Sequence, residues 1–545
     1  MATTPAQARL AEALAALKTL QDADQHVLQT SQLSRPHREA LLSNGFLQPL
    51  MRGWYMPNRP EDNEGETTAW YASALEFVQR YAESRFGTDW WVSPDFALRL
   101  YAGNTTLPSQ VMLYSPAGNN NIVQLPHGHT MFDCRATASL PAAEAAVVNG
   151  IRAMSLESAL INVSDAFFRT YPLDAQAALL SLRDASVLNR LLLEGGRSSI
   201  AGRLVGALRA ANRADLADDV LGTIRRAGYD VRETNPFEDV RLPLLPIVRG
   251  EMGYVTRIRL MWLEMRQAVI DSFPQPPGMP GDVNSYMANV RETYVRDAYN
   301  SLSIEGYRVT EDLIRKVASG EWNPDLSRSD AQNRDAMAAR GYFLARRTVE
   351  DSLSKILNGG NPGAVAASDH RIWYGELFKP SVDAGLLQTH QLAGYRAHQV
   401  FIRNAAHVPP QVDAVRDMMP TLFDLLRDEP HPAVRAVLGH FVFVFIHPYM
   451  DGNGRMGRFL MNAMLASGGY AWTVIEVAHR DEYMSALNEA SSKQNIKPFA
   501  QFVADSLARE NALRVAKTPE AVTAPAVAPV AATKTVRAAT KRAAP

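Results

Sequence analysis

The chain has 545 residues, of which 46% are hydrophobic and 21% charged, with 56 Lys and Arg against 57 Asp and Glu. At roughly 150 residues per domain, this length predicts three or four domains, and the apolar fraction is ample for their cores. The net charge of −1 excludes a uniformly basic nucleic-acid coat, and the single cysteine, Cys134, excludes an intramolecular disulfide framework and a cysteine-based zinc finger.

Signals for export or membrane insertion are not found in the sequence. Residues 1–20 lack a basic-then-apolar pattern, and the longest apolar runs, such as 441–446, are far shorter than the ~20 residues that span a bilayer. One cysteine fits a reducing compartment. We therefore expect a cytoplasmic protein with no membrane partner.

Residues 1–60 predict two helices, a turn and a short aromatic hairpin. Leucines recur on one helical face within residues 8–20, and a second short helix is expected around 34–43, before Gly45-Phe46-Leu47 and Arg52-Gly53-Trp54-Tyr55. This order is typical of a winged helix-turn-helix. Six basic and four acidic residues give a net charge of +2, which permits DNA as a partner, and a protein-contact module is the alternative.

Residues 61–230 predict an α+β domain, with strands at 110–114 and 121–125 and a helix at 156–168. Together with residues 1–60, this half resembles the AbiEi-type antitoxin and regulator family. The similarity is carried by Gly45-Phe46-Leu47, Arg52-Gly53-Trp54-Tyr55 and the helical Glu157-Ser158-Ala159-Leu160. The resemblance implies a DNA-binding autoregulator of the toxin–antitoxin kind.

The remaining chain divides into three parts. Residues 231–281 are a connecting segment punctuated by prolines, with a helix expected at 254–273. Residues 282–513 are almost wholly helical, apart from an extended stretch near 400–403. Residues 518–545 form a tail of Ala, Pro and Lys with a net charge of +3 and no aromatic residue, which predicts disorder.

One motif concentrates the chemistry of the chain: His447-Pro448-Tyr449-Met450-Asp451-Gly452-Asn453-Gly454-Arg455-Met456-Gly457-Arg458. The apolar residues 433–446 predict a buried helix that ends before Pro448, and a second helix begins near Asn453. Gly452 and Gly454 allow backbone N–H groups to turn inward at the start of that helix. The sequence therefore predicts an anion site that the helix dipole supports.

The charged side chains of the motif fit phosphate chemistry. Arg455 and Arg458 share a helical face and can hold two phosphates in forked geometry. Asp451 supplies a hard oxygen ligand for Mg²⁺, and His447 can take up a proton near neutral pH. Together these groups predict a nucleotide-transfer site.

A dinucleotide-binding turn is the alternative interpretation of the same glycines. Residues 452–457 satisfy G-x-G-x-x-G, follow the strand-like run 441–446 and precede Glu476 by about twenty residues. However, five residues that include Pro448 separate the run from the first glycine, and no alternating βαβ pattern surrounds them. We therefore favour the phosphate-transfer interpretation.

The motif resembles the signature of the Fic (filamentation induced by cAMP) family, H-x-F-x-D/E-G-N-G-R-x-x-R, with Tyr449 in place of the phenylalanine. The resemblance covers residues 282–513. It implies a mostly α fold, a helical bundle with a β-hairpin flap that holds a target segment by strand addition. Gly394-Tyr395-Arg396, the run Val400, Phe401 and Ile402, and Pro409-Pro410 look like this flap.

An upstream segment resembles the inhibitory motif S/T-x-x-x-E-G/N of Fic proteins: Ser301-Leu302-Ser303-Ile304-Glu305-Gly306. The resemblance implies a helix near 286–306 whose Glu305 pairs with Arg458. The carboxylate would then occupy the guanidinium meant for the γ-phosphate of ATP and hold the nucleotide in a non-productive pose. Ser301 lies one helical turn before Glu305, so both can face the site.

The activity that the resemblance implies is transfer of AMP from ATP to a Tyr, Thr or Ser hydroxyl of a target protein. His447 would be the base and Asp451 the Mg²⁺ ligand. The phosphates would contact Gly452, Asn453, Gly454, Arg455 and Arg458. Tyr483 stands near an adenine-contact position, while Ser491 stands where an asparagine is expected, so GTP, CTP and UTP remain open as donors. Removal of AMP, with Glu305 orienting a water molecule, is the enzymatic alternative, and a homo-oligomer is also compatible.

Overall fold

The computed structural model describes residues 5–23, 25–58, 60, 67–238, 240–245, 252–322, 334–403 and 405–517. The tail that was predicted to be disordered, residues 518–545, lies outside these ranges. Within them, no helix is both long and apolar enough to cross a membrane.

The first unit of the chain has two helices and a small antiparallel sheet of strand order β1-β3-β2. Its elements are α1 (Pro5–Asp22), β1 (Leu28–Gln29), α2 (Arg35–Ser43), β2 (Leu47–Met51) and β3 (Trp54–Pro57). The hydroxyl of Ser34 accepts the N–H of His37 and caps α2, and Gly53 makes the β2–β3 turn at φ +88°. The predicted helices and hairpin are present, and the winged-helix assignment itself stays a prediction.

The second part of the chain is α+β, as the sequence predicted. Its elements are α3 (Thr68–Phe86), β4 (Trp91–Val92), α4 (Pro94–Tyr101), β5 (Gln110–Ser115), β6 (Asn121–Gln124), β7 (Thr130–Arg135), β8 (Ala145–Val148), β9 (Ile151–Met154), α5 (Leu156–Asn162), α6 (Asp165–Thr170), α7 (Pro172–Leu180), α8 (Ser186–Glu194), α9 (Ser198–Ala210) and α10 (Ala214–Arg226). A four-stranded sheet has the order β4-β5-β7-β6, with β5 and β7 parallel, and β8 and β9 form a hairpin. The strands expected at 110–114 and 121–125 are confirmed, whereas the helix expected at 156–168 is two helices, because the chain is extended at Val163 and Ser164.

In its described residues, the third part is mostly helical, with loops between the helices. Its elements are α11 (Gly253–Ser272), α12 (Val283–Glu292), α13 (Tyr294–Ile304), α14 (Glu311–Ser319), α15 (Arg334–Leu357), α16 (Pro362–Asp383), α17 (Val412–Asp428), α18 (Pro432–Ile446), α19 (Asn453–Ala466), α20 (Arg480–Lys493) and α21 (Lys497–Lys517). The expected helices at 254–273 and 433–446 are therefore confirmed. Residues 441–446 are helical, so the strand that a dinucleotide-binding turn would need is not there.

The flap segment, residues 393–403 and 405–411, contains no strand in its described residues, so the expected β-hairpin at Val400, Phe401 and Ile402 is wrong. Side chains take the carbonyls that a ladder would use: Gln399 Nε2 donates to the Pro409 carbonyl at 2.7 Å. Pro409 and Pro410 also lack the N–H groups that a second strand would supply.

Helix α18 is the centre of the C-terminal core, and nearly all its side chains are buried. It packs against α19, α17 and α11. Helix α11 belongs to the same core through Ile258, Met261 and Trp262, although the sequence assigned it to a connecting segment. The domain boundaries drawn from the sequence stay predictions.

A buried ion pair joins α11 to the N-terminal half. Asp174 on α7 is fully buried, bonds the guanidinium of Arg257 on α11, and accepts the side-chain amide of Asn104 at 2.9 Å. Since each of these groups would be costly to bury alone, the three polar side chains fix how α7 meets α11.

Candidate phosphate-transfer site

The predicted phosphate loop lies between the buried helices α18 and α19. His447 ends α18 in the left-handed conformation, at φ 52° and ψ 61°, and Gly452 precedes α19 at φ 80°. Asn453 closes the loop, because its side-chain oxygen accepts the Tyr449 N–H at 2.9 Å and its nitrogen donates to the Tyr449 carbonyl at 2.8 Å. These bonds give Asn453 a structural role, and its contact with phosphate stays a prediction.

His447 has one ring nitrogen engaged and the other available. Its Nδ1 lies 3.1 Å from the Val444 carbonyl, which can only accept, so Nδ1 carries the proton and Nε2 has a free lone pair. Burial lowers the pKa of His447 to about 4, against the opposing effect of the Val444 bond, and the nearby Arg396 charge lowers it further. The ring is therefore neutral at pH 7 and able to accept a proton.

Arg458 is held by the end of α13. Its Nη2 donates to Glu305 Oε1 at 2.7 Å and to the Ser301 carbonyl at 3.0 Å, and its Nε donates to the Ser301 hydroxyl at 2.9 Å. Among the residues that the structure describes, its buried Nη1 has no hydrogen-bond partner. The structure thus brings together the three side chains that the inhibitory motif predicted to meet.

The Glu305 carboxylate also lies directly over the start of α19. A Cβ built on Gly454 would stand 2.2 Å from Glu305 Oε1, so only a glycine leaves room for the carboxylate there. Burial opposes ionisation of this carboxyl, but the charges of Arg458 and Arg455 dominate and lower its pKa. An anionic group therefore already occupies the N-terminus of α19, where a helix favours negative charge.

Glu305 itself is the residue that follows α13, and its side chain is 30% exposed. Gly306 comes next at φ +84°, which glycine adopts without strain, and the chain turns back so that the Tyr307 N–H bonds the Leu302 carbonyl at 3.1 Å. The glycine of the inhibitory motif therefore ends the helix at the point where Glu305 reaches the site.

Arg455 is buried between two aromatic rings. Its guanidinium carbon lies 5.1 Å from the ring centre of Tyr307 and 5.2 Å from that of Phe378, and its Nη2 lies 3.3 Å from Asp451 Oδ2. Cation–π contacts on this scale hold a guanidinium in a fixed plane. Arg455 is therefore ordered before any phosphate binds.

Asp451 is the acidic residue of the loop, and 62% of its side chain is exposed. Its Oδ1 accepts the Gly452 N–H at 2.6 Å. Within the described ranges, no cluster of three or more His, Cys, Asp or Glu side chains could enclose a metal ion. A cation held by Asp451 would therefore need most of its ligands from phosphate oxygens and water, as Mg²⁺ prefers.

The other predicted contacts lie at the edge of this arrangement. Tyr483 is 2% exposed, its hydroxyl lies 2.8 Å from His440 Nε2, and its ring packs on Phe499 and Phe502. This geometry leaves its ring little surface for a base, and the adenine contact stays a prediction. Phe401 of the flap segment contacts the ring of His26 at 6.3 Å between centres, which brings the N-terminal unit to the flap.

Sequence reasoning missed the side chains that support the site. Tyr307 and Phe378 enclose Arg455 from distant parts of the chain, and His407 bonds the Phe445 carbonyl through Nε2 at 2.8 Å. The position of Tyr307, directly after Gly306 of the inhibitory motif, was the sequence feature that could have indicated its place near the site. No spacing in the sequence relates Phe378 or His407 to the motif.

Comparison with known proteins agrees with this geometry. Residues 370–465 match the Fic/DOC family. The chain is 30% identical over 229 residues to a protein adenylyltransferase Fic of Nematostella vectensis, covering 39% of this chain and 47% of the relative. It is 29% identical over 251 residues to the protein of that name from Drosophila willistoni, covering 44% and 46%.

A solved Fic-1 structure from C. elegans has 20% sequence identity and a TM-score of 0.36, and the match covers 64% of this chain and 98% of that one. The chain spans about half the length of the curated relatives that it matches.

Proposed function

Because residues 370–465 match the Fic/DOC family, we propose that this protein is an adenylyltransferase that moves AMP from ATP to a Tyr, Thr or Ser hydroxyl of a target protein. The observation that carries the proposal is a neutral histidine and an anion site on one helix–loop–helix. His447 ends α18 with Nε2 free, and the start of α19 presents Gly454, Arg455 and Arg458. Relatives at 29–30% identity that are named protein adenylyltransferases support it.

In this proposal, the residues of the chain divide the reaction between them. His447 Nε2 accepts the proton of the target hydroxyl as the oxygen attacks the α-phosphate of ATP. Arg455 and Arg458, with the N–H groups at the start of α19, bind the phosphates and stabilise the charge that develops as pyrophosphate leaves. Asp451 would hold Mg²⁺, which when bound neutralises phosphate charge.

The same proposal makes the described state an inhibited one. Two of the three guanidinium nitrogens of Arg458, Nε and Nη2, are already bonded to Ser301 and Glu305. The Glu305 carboxylate would also repel a phosphate at the start of α19. We therefore expect weak activity from the wild-type protein and strong activation on removal of the carboxylate.

The test compares Glu305→Gly with a matched control, Glu292→Gly, in which an exposed glutamate at the end of α12 receives the same substitution. Incubation with α-³²P-ATP and Mg²⁺ should label the Glu305→Gly protein or its target at least tenfold more than wild type, and Glu292→Gly no more than wild type. The double variant Glu305→Gly, His447→Ala should bind ATP and transfer no AMP. Equal labelling by wild type and Glu305→Gly would reject inhibition by Glu305.

Removal of AMP is a second candidate, because the ionised Glu305 carboxylate acts electrostatically on His447 across the site. A carboxylate at that position could orient a water molecule toward an AMP-modified side chain. Incubating an AMP-modified target with the wild-type protein, Mg²⁺ and no ATP tests this. Release of AMP that depends on Glu305 would support it.

For the N-terminal unit, we propose DNA binding through a winged helix. The observations in its favour are the order of helices and strands over residues 5–57 and the exposed Arg52 between β2 and β3. A gel-shift of the full chain against its own upstream DNA should be reduced by Arg52→Ala and by salt. No shift at low salt would reject this role.

A further inference from the structure

The end of α18 presents backbone carbonyls that the helix itself cannot satisfy. The last carbonyls of any α-helix lack intrahelical N–H partners, and buried ones need partners from elsewhere. Here the Val444 carbonyl accepts the His447 Nδ1–H, and the Phe445 carbonyl lies 2.8 Å from His407 Nε2. His407 belongs to the flap segment, so this segment already contributes to capping the helix that carries the proposed base.

Arg396 of the flap segment completes this cap at the base itself. Its Nε donates to the His447 carbonyl at 2.9 Å, and its backbone N–H donates to the Pro448 carbonyl at 2.8 Å. The first carbonyl belongs to the peptide bond between His447 and Pro448, and the second to the peptide bond after Pro448. Two donors from one residue therefore fix the two consecutive peptides that follow His447.

The other end of the Arg396 side chain holds the flap segment. Its Nη1 donates to the His398 carbonyl at 3.1 Å, and its Nη2 bonds the Pro410 carbonyl. Arg396 is 3% exposed, and in the part of the chain that the structure describes, no carboxylate lies within ion-pair distance of it. A buried cation with carbonyls as its partners is expensive to maintain, which indicates a specific purpose.

From this geometry we propose that Arg396 is a positioning residue that fixes His447 for proton transfer and couples its position to the flap segment. The inference rests on the proposed function of His447. His447 is in the left-handed region, at φ 52°, which strains a non-glycine residue and persists only where neighbours enforce it. The bonds from Arg396 to the two carbonyls supply that enforcement, while the Val444 bond orients the ring.

The charge of Arg396 also prepares His447 for its proposed role, because it favours the neutral form of the ring. The charged groups that act on His447 are Arg396 from the flap segment, Glu305 from α13 and Asp451 from its own loop. Of these, Arg396 favours the neutral imidazole and the two carboxylates favour the protonated one. Replacing Arg396 with a neutral residue should therefore raise the pKa of His447 as well as loosen it.

The experiment uses the full chain in the active Glu305→Gly background. Arg396→Lys keeps the charge but loses the planar guanidinium with its several donors, and Arg396→Gln loses both. Arg371→Gln is the control, because it removes an arginine that contacts the flap segment through the Tyr395 ring, at 5.3 Å. The single-turnover rate of AMP transfer should fall at least tenfold in both Arg396 variants and less than twofold in the control. ATP affinity should change less than twofold in all of them, since Arg455 and Arg458 are untouched.

The second readout does not depend on transfer. NMR of ¹⁵N-histidine-labelled protein without nucleotide should show the His447 titration at higher pH in Arg396→Gln and nearly unchanged in Arg396→Lys. Parent-like transfer rates and an unchanged titration in both variants would overturn the proposal. The proposal would also be overturned if the Arg396 variants lost rate only near a lowered melting temperature and had the parent's transfer rates at lower temperatures.

The two proposals can fail separately. Absence of AMP transfer in the Glu305→Gly parent would reject the proposed function, while the His447 titration would still measure the influence of Arg396. If Arg396→Gln does not fold, Arg396→Lys decides, because a tenfold loss of rate in a stable lysine variant requires the forked geometry and not the charge alone.

Discussion

Replacing Glu305 with glycine should change stability and ATP binding in opposite directions. The substitution removes the charged hydrogen bond between Glu305 Oε1 and Arg458 Nη2, 2.7 Å long. A hydrogen bond to a charged group contributes about 1.5–3 kcal/mol. Since the Glu305 side chain is 30% exposed, water screens part of this contribution, and we expect a loss of about 1–2 kcal/mol.

In a domain of about 150–250 residues, that loss should lower the melting temperature by about 2–8 °C, which we expect for the C-terminal core. Saturating ATP should more than restore it, because Arg458 becomes available to phosphate and a ligand at a hundredfold excess over its Kd stabilises by about 2.7 kcal/mol. Wild-type protein should gain less from the same ATP concentration, since binding there must compete with Glu305.

Differential scanning fluorimetry with and without Mg²⁺-ATP measures both effects. Glu292→Gly controls for the extra chain entropy of a glycine at a helix end. The reasoning fails if Glu305→Gly melts at the wild-type temperature without nucleotide, or if ATP raises the melting temperature of both proteins equally. Either result would mean that the contact with Arg458 contributes nothing to the resting state.

Three further predictions concern the base, the aromatic of the motif and the joint between the halves. The proposed base acts in its neutral form, and burial lowers the pKa of His447 to about 4. The transfer rate of Glu305→Gly at pH 5.5 should therefore remain above about 90% of its pH 7.5 value, whereas a histidine of ordinary pKa would retain about 10%. A rate that falls with a midpoint near pH 6.5 would contradict this. Tyr449→Phe should leave the free energy of unfolding in urea unchanged or raise it by up to about 1 kcal/mol, since the buried hydroxyl has no hydrogen-bond partner among the described residues while the ring stacks on Tyr374 at 3.7 Å. A loss above about 1 kcal/mol would show that the hydroxyl is bonded. Asp174→Asn should destabilise the protein by about 3–5 kcal/mol in chemical denaturation, because it leaves the Arg257 charge buried without its counter-ion. A loss below about 1 kcal/mol would refute the role of Asp174 as that counter-ion.

The helix–loop–helix of the motif was predictable because its features are local. The proline that ends α18, the glycine at positive φ before α19 and the spacing of Arg455 and Arg458 are all set by neighbouring residues and by the period of the helix. Glu305 was expected from the resemblance alone, 153 residues away from Arg458. The structure brings the two side chains together as expected.

The contacts that the sequence did not reveal are long-range ones. The family resemblance implied a hairpin at the extended stretch near 400–403, but a strand needs a partner, and carbonyls of this segment are bonded by side chains instead. Likewise, Arg396 reaches the His447 carbonyl across 51 residues. Residue order by itself determined the chemistry that the loop can perform, because that chemistry lies within one helix–loop–helix. Tertiary packing alone decided which side chains bond the carbonyls at the end of α18, because helix periodicity carries no information about which distant segment packs against the end of a helix.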